Sequence, residues 1–217
     1  MNWIKDFDDA DVAVTPEKLV KWGDSEQHFQ ICVAPLKNTY PKVELDKWEV
    51  DYLDERIDKI IKKKMTEPHH QKDPIKEEKR WRTGLYGEAA VCKFLGLDFT
   101  EVLDLSVRCS QEFSSDLSQA GYAVGVKSVC WGNYPLMYPN RQGSSPEVIV
   151  FRETSNDREM FYIAGLSSPN DLTDPNNFRI EFVRTHAARD KGKSAFIAMD
   201  KLQPLTIQSI YPYRIVF

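Results

Sequence analysis

The clearest pattern of apolar and charged positions covers residues 44–64. Its apolar members are Leu45, Trp48, Tyr52, Leu53, Ile57, Ile60 and Ile61, and charged residues lie between them. Positions three and four residues apart share one face of a helix, so this stretch is predicted to be an amphipathic α-helix.

A second helix is predicted over residues 74–95. Asp73-Pro74 is a typical helix start, and Gly96 is a typical residue just past a helix end. Gly84 and Gly87 lie inside this helix, where each costs roughly 1 kcal/mol relative to alanine. We therefore expect close backbone packing, or close approach of a ligand, at these glycines.

After Gly96 the pattern alternates with a period of two, which is typical of β-strands. The predicted strands are 101–108, 111–117, 122–130, 147–152, 159–164 and 178–184, with a weaker one at 28–33. Helices followed mainly by strands predict an α/β fold, with a mixed β-sheet flanked by helices. We expect an irregular N-terminal extension over 1–43 and a single domain over 44–217, with its core at about 74–165.

Composition narrows the function classes. The chain has 217 residues, with 29 Lys and Arg against 33 Asp and Glu, which excludes a uniformly basic nucleic-acid-binding surface. No apolar run approaches the ~18–20 residues of a membrane span, and the N-terminus lacks the apolar run of a signal peptide. The four cysteines are far apart and include no CxxC pair. These features predict a cytoplasmic protein with reduced thiols and no membrane partner.

Candidate chemistry begins in the strand at 122–130. Alternation puts Val124 and Val126 on one face, and Gly125 and Lys127 on the other. The second face is open beside the lysine, and Asp116, from the preceding predicted strand, can point into that space. A hairpin turn at Gly121 would join the two strands.

Glu88 is the second candidate acid. It lies in one helical stripe with Leu85, Cys92 and Leu95, so it is expected to point inward. A buried carboxylate is costly unless it is paired or bound to a metal. If Glu88 converges with Asp116, the two carboxylates form a hard oxygen site suited to Mg²⁺ (or Mn²⁺), and Lys127 can act on a water there.

The chain has a glutamate on an early helix, then an aspartate, and then a lysine on the following strand. This order resembles the PD-(D/E)xK nuclease superfamily, over about residues 80–165. The resemblance implies a restriction-endonuclease-like fold and metal-dependent hydrolysis of DNA. It implies Asp116, Lys127 and Glu88 as catalytic residues. It also implies metal ligands, namely Glu88, Asp116 and the carbonyl of Val126.

The sequence departs from the family's motif at Gly125, where its second acid is expected. Glu147, at the start of the next strand, is our first candidate for a migrated acid, and Glu112 is the second. The alternative is a catalytically inactive nuclease-like fold that binds nucleic acid or protein. A further alternative is an unrelated α/β interaction protein, in which Asp116 and Lys127 form at most a surface ion pair worth ~0–1 kcal/mol.

A basic segment over residues 56–82 carries ten Lys or Arg against five acids. With a second basic cluster and one loop arginine, it predicts a DNA-binding surface. Its proposed members are Lys62, Lys63, Lys64, Lys79, Arg80, Arg82, Arg141, Arg189, Lys191 and Lys193. The other interpretation of the segment is a solvated helix surface with i, i+4 ion pairs. The apolar C-terminus is suited to packing inside the domain or against a second subunit, so a homodimer is one alternative.

Overall fold

The computed structural model describes residues 29–30, 32–64, 74–102, 115–133, 135, 145–155, 158–173, 178–180, 196–197 and 199–216. The helices are α1 (Lys47–Lys64), α2 (Pro74–Leu95), α3 (Phe99–Val102), α4 (Pro169–Thr173) and α5 (Ile207–Ile210). The strands are β1 (Lys42–Leu45), β2 (Gly125–Cys130), β3 (Glu147–Ser155), β4 (Arg158–Ser167), β5 (Phe178–Ile180) and β6 (Phe196–Ile197). None of the helices in these ranges has the length and apolar character needed to cross a membrane.

Four strands form the main sheet, in the order β1-β4-β3-β2. The β2–β3 pair is parallel, whereas β3–β4 and β1–β4 are antiparallel. Strands β5 and β6 form a separate two-stranded sheet. The structure thus confirms the predicted α/β fold with a mixed sheet and flanking helices.

Each face of the main sheet packs on its own hydrophobic core. Register pairs Val126 with Val148, and Lys127 with Ile149. Val148 belongs to the core that the sheet shares with α1 and α2, whereas Ile149 belongs to a second core that includes Phe29. Because successive strand residues point to opposite faces, Lys127 lies on the face away from α1 and α2.

Helix α1 begins later than its apolar pattern predicts. Glu44 and Leu45 belong to β1, which pairs with β4, and the helix begins at Lys47. The backbone N–H of Asp46 donates to Glu49 Oε2 at 2.6 Å, an interaction that satisfies an unpaired N–H at a helix start. The predicted domain boundary between 43 and 44 therefore falls inside β1.

Helix α2 has the predicted limits. It runs from Pro74 to Leu95, and Gly96 adopts a φ of 70° just beyond its end. Gly96 N–H donates to Lys93 O and Leu97 N–H to Cys92 O, the two bonds of a Schellman motif. A side chain at Gly96 would be strained at this φ, which explains why the helix stops there.

The predicted strands agree with the observed strands to different extents. Strand 122–130 is shortened to Gly125–Cys130, whereas 147–152 and 159–164 are extended to Glu147–Ser155 and Arg158–Ser167. The strand predicted at 28–33 is wrong, since its residues 29, 30 and 32 are helical. Residues 101–102 belong to α3 and 115–117 lie outside any strand, contrary to prediction, and the rest of those two segments lies outside the described residues. The strand predicted at 178–184 is described only for 178–180.

Candidate active site at the start of the parallel strand pair

Asp116 and Glu147 meet beside Gly125. In the parallel pair, Gly125 is the register partner of Glu147. A Cβ placed on Gly125 would lie 3.5 Å from Glu147 Cγ and 3.7 Å from Asp116 Oδ2. The missing side chain at 125 therefore leaves a small space that two acidic side chains border.

Asp116 is held in place by the backbone of β2. Its Oδ2 accepts a hydrogen bond from the N–H of Val126 at 2.7 Å. The next residue, Leu117, donates its N–H to Val124 O at 3.0 Å and is fully buried. Asp116 thus lies on a turn rather than on the predicted strand, but the turn fixes it at the beginning of β2.

Lys127 lies two residues beyond Gly125 on β2, so alternation puts both on the same face as Glu147. Its side chain is half-buried, and it forms no ion pair with an acid in the part of the chain that is described. Asp116 and Lys127 therefore do not form the surface ion pair that the sequence leaves open as the simplest alternative.

Helix α2, which carries Glu88, packs on the other face of the sheet. Glu88 is buried on this helix, with an exposed fraction of 7%. The preceding Gly87 lies directly on Ser128, because a Cβ at Gly87 would be 2.4 Å from Ser128 Cβ. Ser128 faces the helices, whereas Lys127 faces away from them. The structure thus brings Asp116, Glu147 and Lys127 to one face of β2 and β3, and the helix that carries Glu88 packs on the opposite face.

The close packing predicted at the two helix glycines holds for Gly87 only. At Gly84 an added Cβ would meet nothing within 4 Å. Ser128 Oγ, under Gly87, is buried and has no hydrogen-bond partner among the described residues. The glycine at 87 therefore allows helix α2 to pack closely on the sheet, whereas the surroundings of residue 84 do not require a glycine.

The acids beside Gly125 fit a hard divalent cation. In the described ranges, no cluster of three or more His, Cys, Asp or Glu side chains is arranged to hold a metal ion. Mg²⁺, however, is often bound by only one or two carboxylates together with waters and substrate phosphate oxygens. The pair formed by Asp116 and Glu147 provides such a donor set. Glu112, the second candidate for the migrated acid, lies outside the described residues.

Two of the predicted DNA-binding arginines are engaged by acids. Arg82 pairs through Nε with Glu78 and through Nη1 with Asp54, each at 2.9 Å, and Arg80 pairs with Glu77. For these arginines the ion-pair interpretation of the basic segment fits the structure. Lys62 and Lys79 are exposed. The side chains of Lys63, Lys64, Arg141, Arg189, Lys191 and Lys193 lie outside what is described.

Arg82 also takes part in a network that joins α1 to α2. Asp54 of α1 accepts hydrogen bonds from Arg82 and from the hydroxyl of Tyr86. Burial first, and then this hydrogen bond to Asp54, raise the pKa of Tyr86, so the phenol remains protonated and continues to donate. The part of Arg82 in this network is structural, since it binds the two helices together.

A second polar site, which the sequence reasoning missed, lies at the other end of the parallel strands. The Arg152 guanidinium, about one-tenth exposed, forms two bonds to Glu159, at 2.7 and 2.8 Å, and donates to Thr83 Oγ1 at 3.3 Å. The only signal in the sequence was that Arg152 and Glu159 interrupt two apolar strands with opposite charges. A crevice of about 520 Å³ opens beside this pair.

Comparison of the chain with protein-family models, with curated protein sequences and with solved structures gives no match.

Proposed function

We propose that the protein is a metal-dependent nuclease that hydrolyses phosphodiester bonds of DNA, with a restriction-endonuclease-like core. One observation carries the proposal. Asp116 and Glu147 border the space left by Gly125, on the strand that presents Lys127 two residues later. In this sequence, Gly125 stands where the PD-(D/E)xK motif has its second acid. Glu147 brings a carboxylate next to that position from the neighbouring strand.

Asp116 and Glu147 would hold Mg²⁺ or Mn²⁺ at this site. The ion, when bound, polarises a phosphoryl oxygen and lowers the pKa of a coordinated water. The Val126 N–H holds Asp116 Oδ2, which directs the carboxylate before substrate arrives. Such preorganisation removes the cost of reorienting the group during the reaction.

Lys127 supplies the positive charge at the site. Its ammonium would hydrogen-bond the attacking water and stabilise the charge that develops on the phosphate oxygens. Since its charge has no acidic partner among the described residues, it is available to substrate. Glu88, on the helix that covers the opposite face of the sheet, is proposed to support the site rather than to contact the phosphate.

The test is cleavage of linear, circular and branched DNA with Mg²⁺ or Mn²⁺. Asp116→Asn, Glu147→Gln and Lys127→Met should each abolish cleavage. Two exposed residues of α1 provide matched controls, Asp51→Asn and Lys47→Met, which should cleave like the wild type. Metal-dependent cleavage that persists in any one of the three site variants, once folded, would contradict the assignment.

The second candidate is a nuclease-like fold that binds nucleic acid or protein without cutting. Gly125 favours it, since the position where the motif has its second acid carries no carboxylate of its own. In the same samples, DNA binding without cleavage by the wild type would support this function. Molar mass in solution, with and without DNA, would show whether the chain acts as a homodimer.

A further inference from the structure

The crevice beside Arg152 lies where the parallel strands β2 and β3 end. Its wall consists of Glu78, Lys79, Arg82, Cys130, Trp131, Arg152, Glu153 and Thr154. In open α/β sheets, ligands bind outside the carboxyl ends of parallel strands, next to a helix. A volume of about 520 Å³ is within the size range of small-molecule sites.

This crevice is separate from the acids at Gly125. Gly125 and Cys130 are the first and last residues of β2. At roughly 3.3 Å per residue, they are about 16 Å apart along the strand. A ligand in the crevice therefore does not contact Asp116 or Glu147.

Most charges in the wall are already paired. Glu153 binds Lys37 at 2.7 Å and accepts from the hydroxyl of Tyr162 at 2.7 Å. Glu78 binds Arg82. The acids are therefore neutralised by their own neighbours and do not repel an incoming anion with full charge.

In the wall of the crevice, Lys79 provides a positive charge without an acidic partner in the described part of the chain, and Arg82 provides one further N–H donor edge although its charge is paired. Lys79 is exposed and has no ion pair with the described residues. Arg82 uses Nε and Nη1 for Glu78 and Asp54, which leaves Nη2 without a described partner. An ammonium beside a fixed guanidinium edge is suited to phosphate oxygens.

The other side of the crevice is apolar and rigid. Trp131 packs edge-to-face against Phe29 and Phe151, with ring centroids 5.1 and 5.5 Å apart. Cys130 precedes it at the strand end, and its thiol lies 3.8 Å from Thr83 Oγ1. The Lys37 ammonium lies 4.8 Å from the centroid of the Trp131 ring, so a planar ligand ring would pack against the part of the indole that lines the crevice.

We infer that the crevice binds a nucleotide, with its phosphate at Lys79 and Arg82 and its base beside Cys130 and Trp131. The nucleotide can be free, or it can be the phosphorylated end of a nucleic-acid strand. The inference does not depend on the proposed cleavage, because no residue of the Asp116–Glu147 site takes part.

The test is equilibrium binding in EDTA, where the proposed nuclease is inactive. Dialysis against radiolabelled dAMP tests the free nucleotide. Fluorescence anisotropy with a short oligonucleotide, carrying either a 5′-phosphate or a 5′-hydroxyl, tests the strand end. Lys79→Gln should weaken binding roughly tenfold, whereas Lys79→Arg and the control Lys47→Gln should bind like the wild type.

Each result decides the inference. Lys79-dependent binding of dAMP alone supports a free nucleotide, and Lys79-dependent preference for the 5′-phosphate supports a strand end. If neither probe binds, or if Lys79→Gln binds as well as Lys47→Gln, the inference is overturned. A failed nuclease proposal appears as Mg²⁺-dependent cleavage that Asp116→Asn retains, whereas a failed crevice proposal appears as binding in EDTA that does not depend on Lys79, so the two failures give different results.

Discussion

Glu147 lies against the position that a side chain of its register partner, Gly125, would take. The separation of 3.5 Å between Glu147 Cγ and a Cβ built on Gly125 is ordinary van der Waals contact. The two positions on neighbouring parallel strands therefore point to the same small volume. This relationship explains how an acid can be absent from β2 and still be present at the site.

Moving the acid from position 147 on β3 to position 125 on β2 should preserve part of the activity. Glu147→Ala is expected to lower DNA cleavage at least 100-fold, because it removes a carboxylate from the proposed cation site. The double variant Gly125→Asp/Glu147→Ala should recover a measurable fraction, since the new acid enters the same volume. Single-turnover cleavage rates measure both.

Gly125→Ala is the control for that exchange. Its Cβ meets only ordinary contacts, so this variant should fold and cleave like the wild type. If the double variant folds but recovers no DNA cleavage, Glu147 does not act as a displaced motif acid.

Gly87→Ala should destabilise the fold, because its Cβ would lie 2.4 Å from both Cβ and Oγ of Ser128. Overpacking of this kind costs about 1–3 kcal/mol of the free energy of unfolding. Urea unfolding measures the change, and adding Ser128→Gly should recover part of it.

Gly84→Ala is the matched substitution in the same helix. Nothing lies within 4 Å of its Cβ, so alanine should stabilise the protein by about 0.5–1 kcal/mol. Equal destabilisation by the two alanines would contradict the packing of α2 on β2 described above.

Removing one partner of the Arg152–Glu159 pair should be strongly destabilising. Both side chains are about nine-tenths buried, so Glu159→Gln leaves a guanidinium without its counter-charge. The expected loss is about 3–5 kcal/mol in the free energy of unfolding. The exposed pair of Lys47 and Asp51 is the control, and Asp51→Asn should change stability by less than about 0.5 kcal/mol. Similar losses at the two pairs would argue against the burial of Arg152.

The Lys37–Glu153 ion pair should add to stability at neutral pH and lose its effect in acid. Burial raises the pKa of Glu153, but the hydrogen bonds from Lys37 and Tyr162 outweigh it, so the pKa is lowered overall. A carboxyl whose folded pKa is depressed contributes stability above its unfolded pKa of about 4.3 and loses it as pH falls through the folded value.

The measurement is the free energy of unfolding between pH 3 and 7. Glu153→Gln should have a shallower decrease toward acid than the wild type. The difference should stay small, since about 30% of each side chain is exposed to solvent. Parallel curves would show that the ion pair contributes nothing.

Much of this fold follows from local signals. Pro74 and Gly96 fix the ends of α2 through a helix start and a left-handed residue, and both act within a few residues along the chain. The apolar run after Glu147 predicted a buried strand for the same reason. In contrast, Phe29 and Cys32 are helical although their segment alternates, because packing on the second core outweighs the weak local pattern.

The site required information that is not local. The motif predicted Asp116 and Lys127, but only strand register shows that Glu147 is next to Gly125. The inward stripe of α2 correctly predicted that Glu88 is buried. It did not reveal that the helix covers the face of β2 opposite Lys127. The crevice residues come from three elements, and no single stretch of sequence contains enough of them to suggest a site.

Asp116, Glu147 and Lys127 are proposed to form one catalytic centre for DNA hydrolysis. The most direct measurement is single-turnover cleavage of supercoiled DNA at saturating Mg²⁺, with EDTA as the baseline. We expect Asp116→Asn, Glu147→Gln and Lys127→Met each to reduce the wild-type rate to that baseline while their unfolding curves stay unchanged. Metal-dependent cleavage that persists in any one of the three folded variants would contradict the claim.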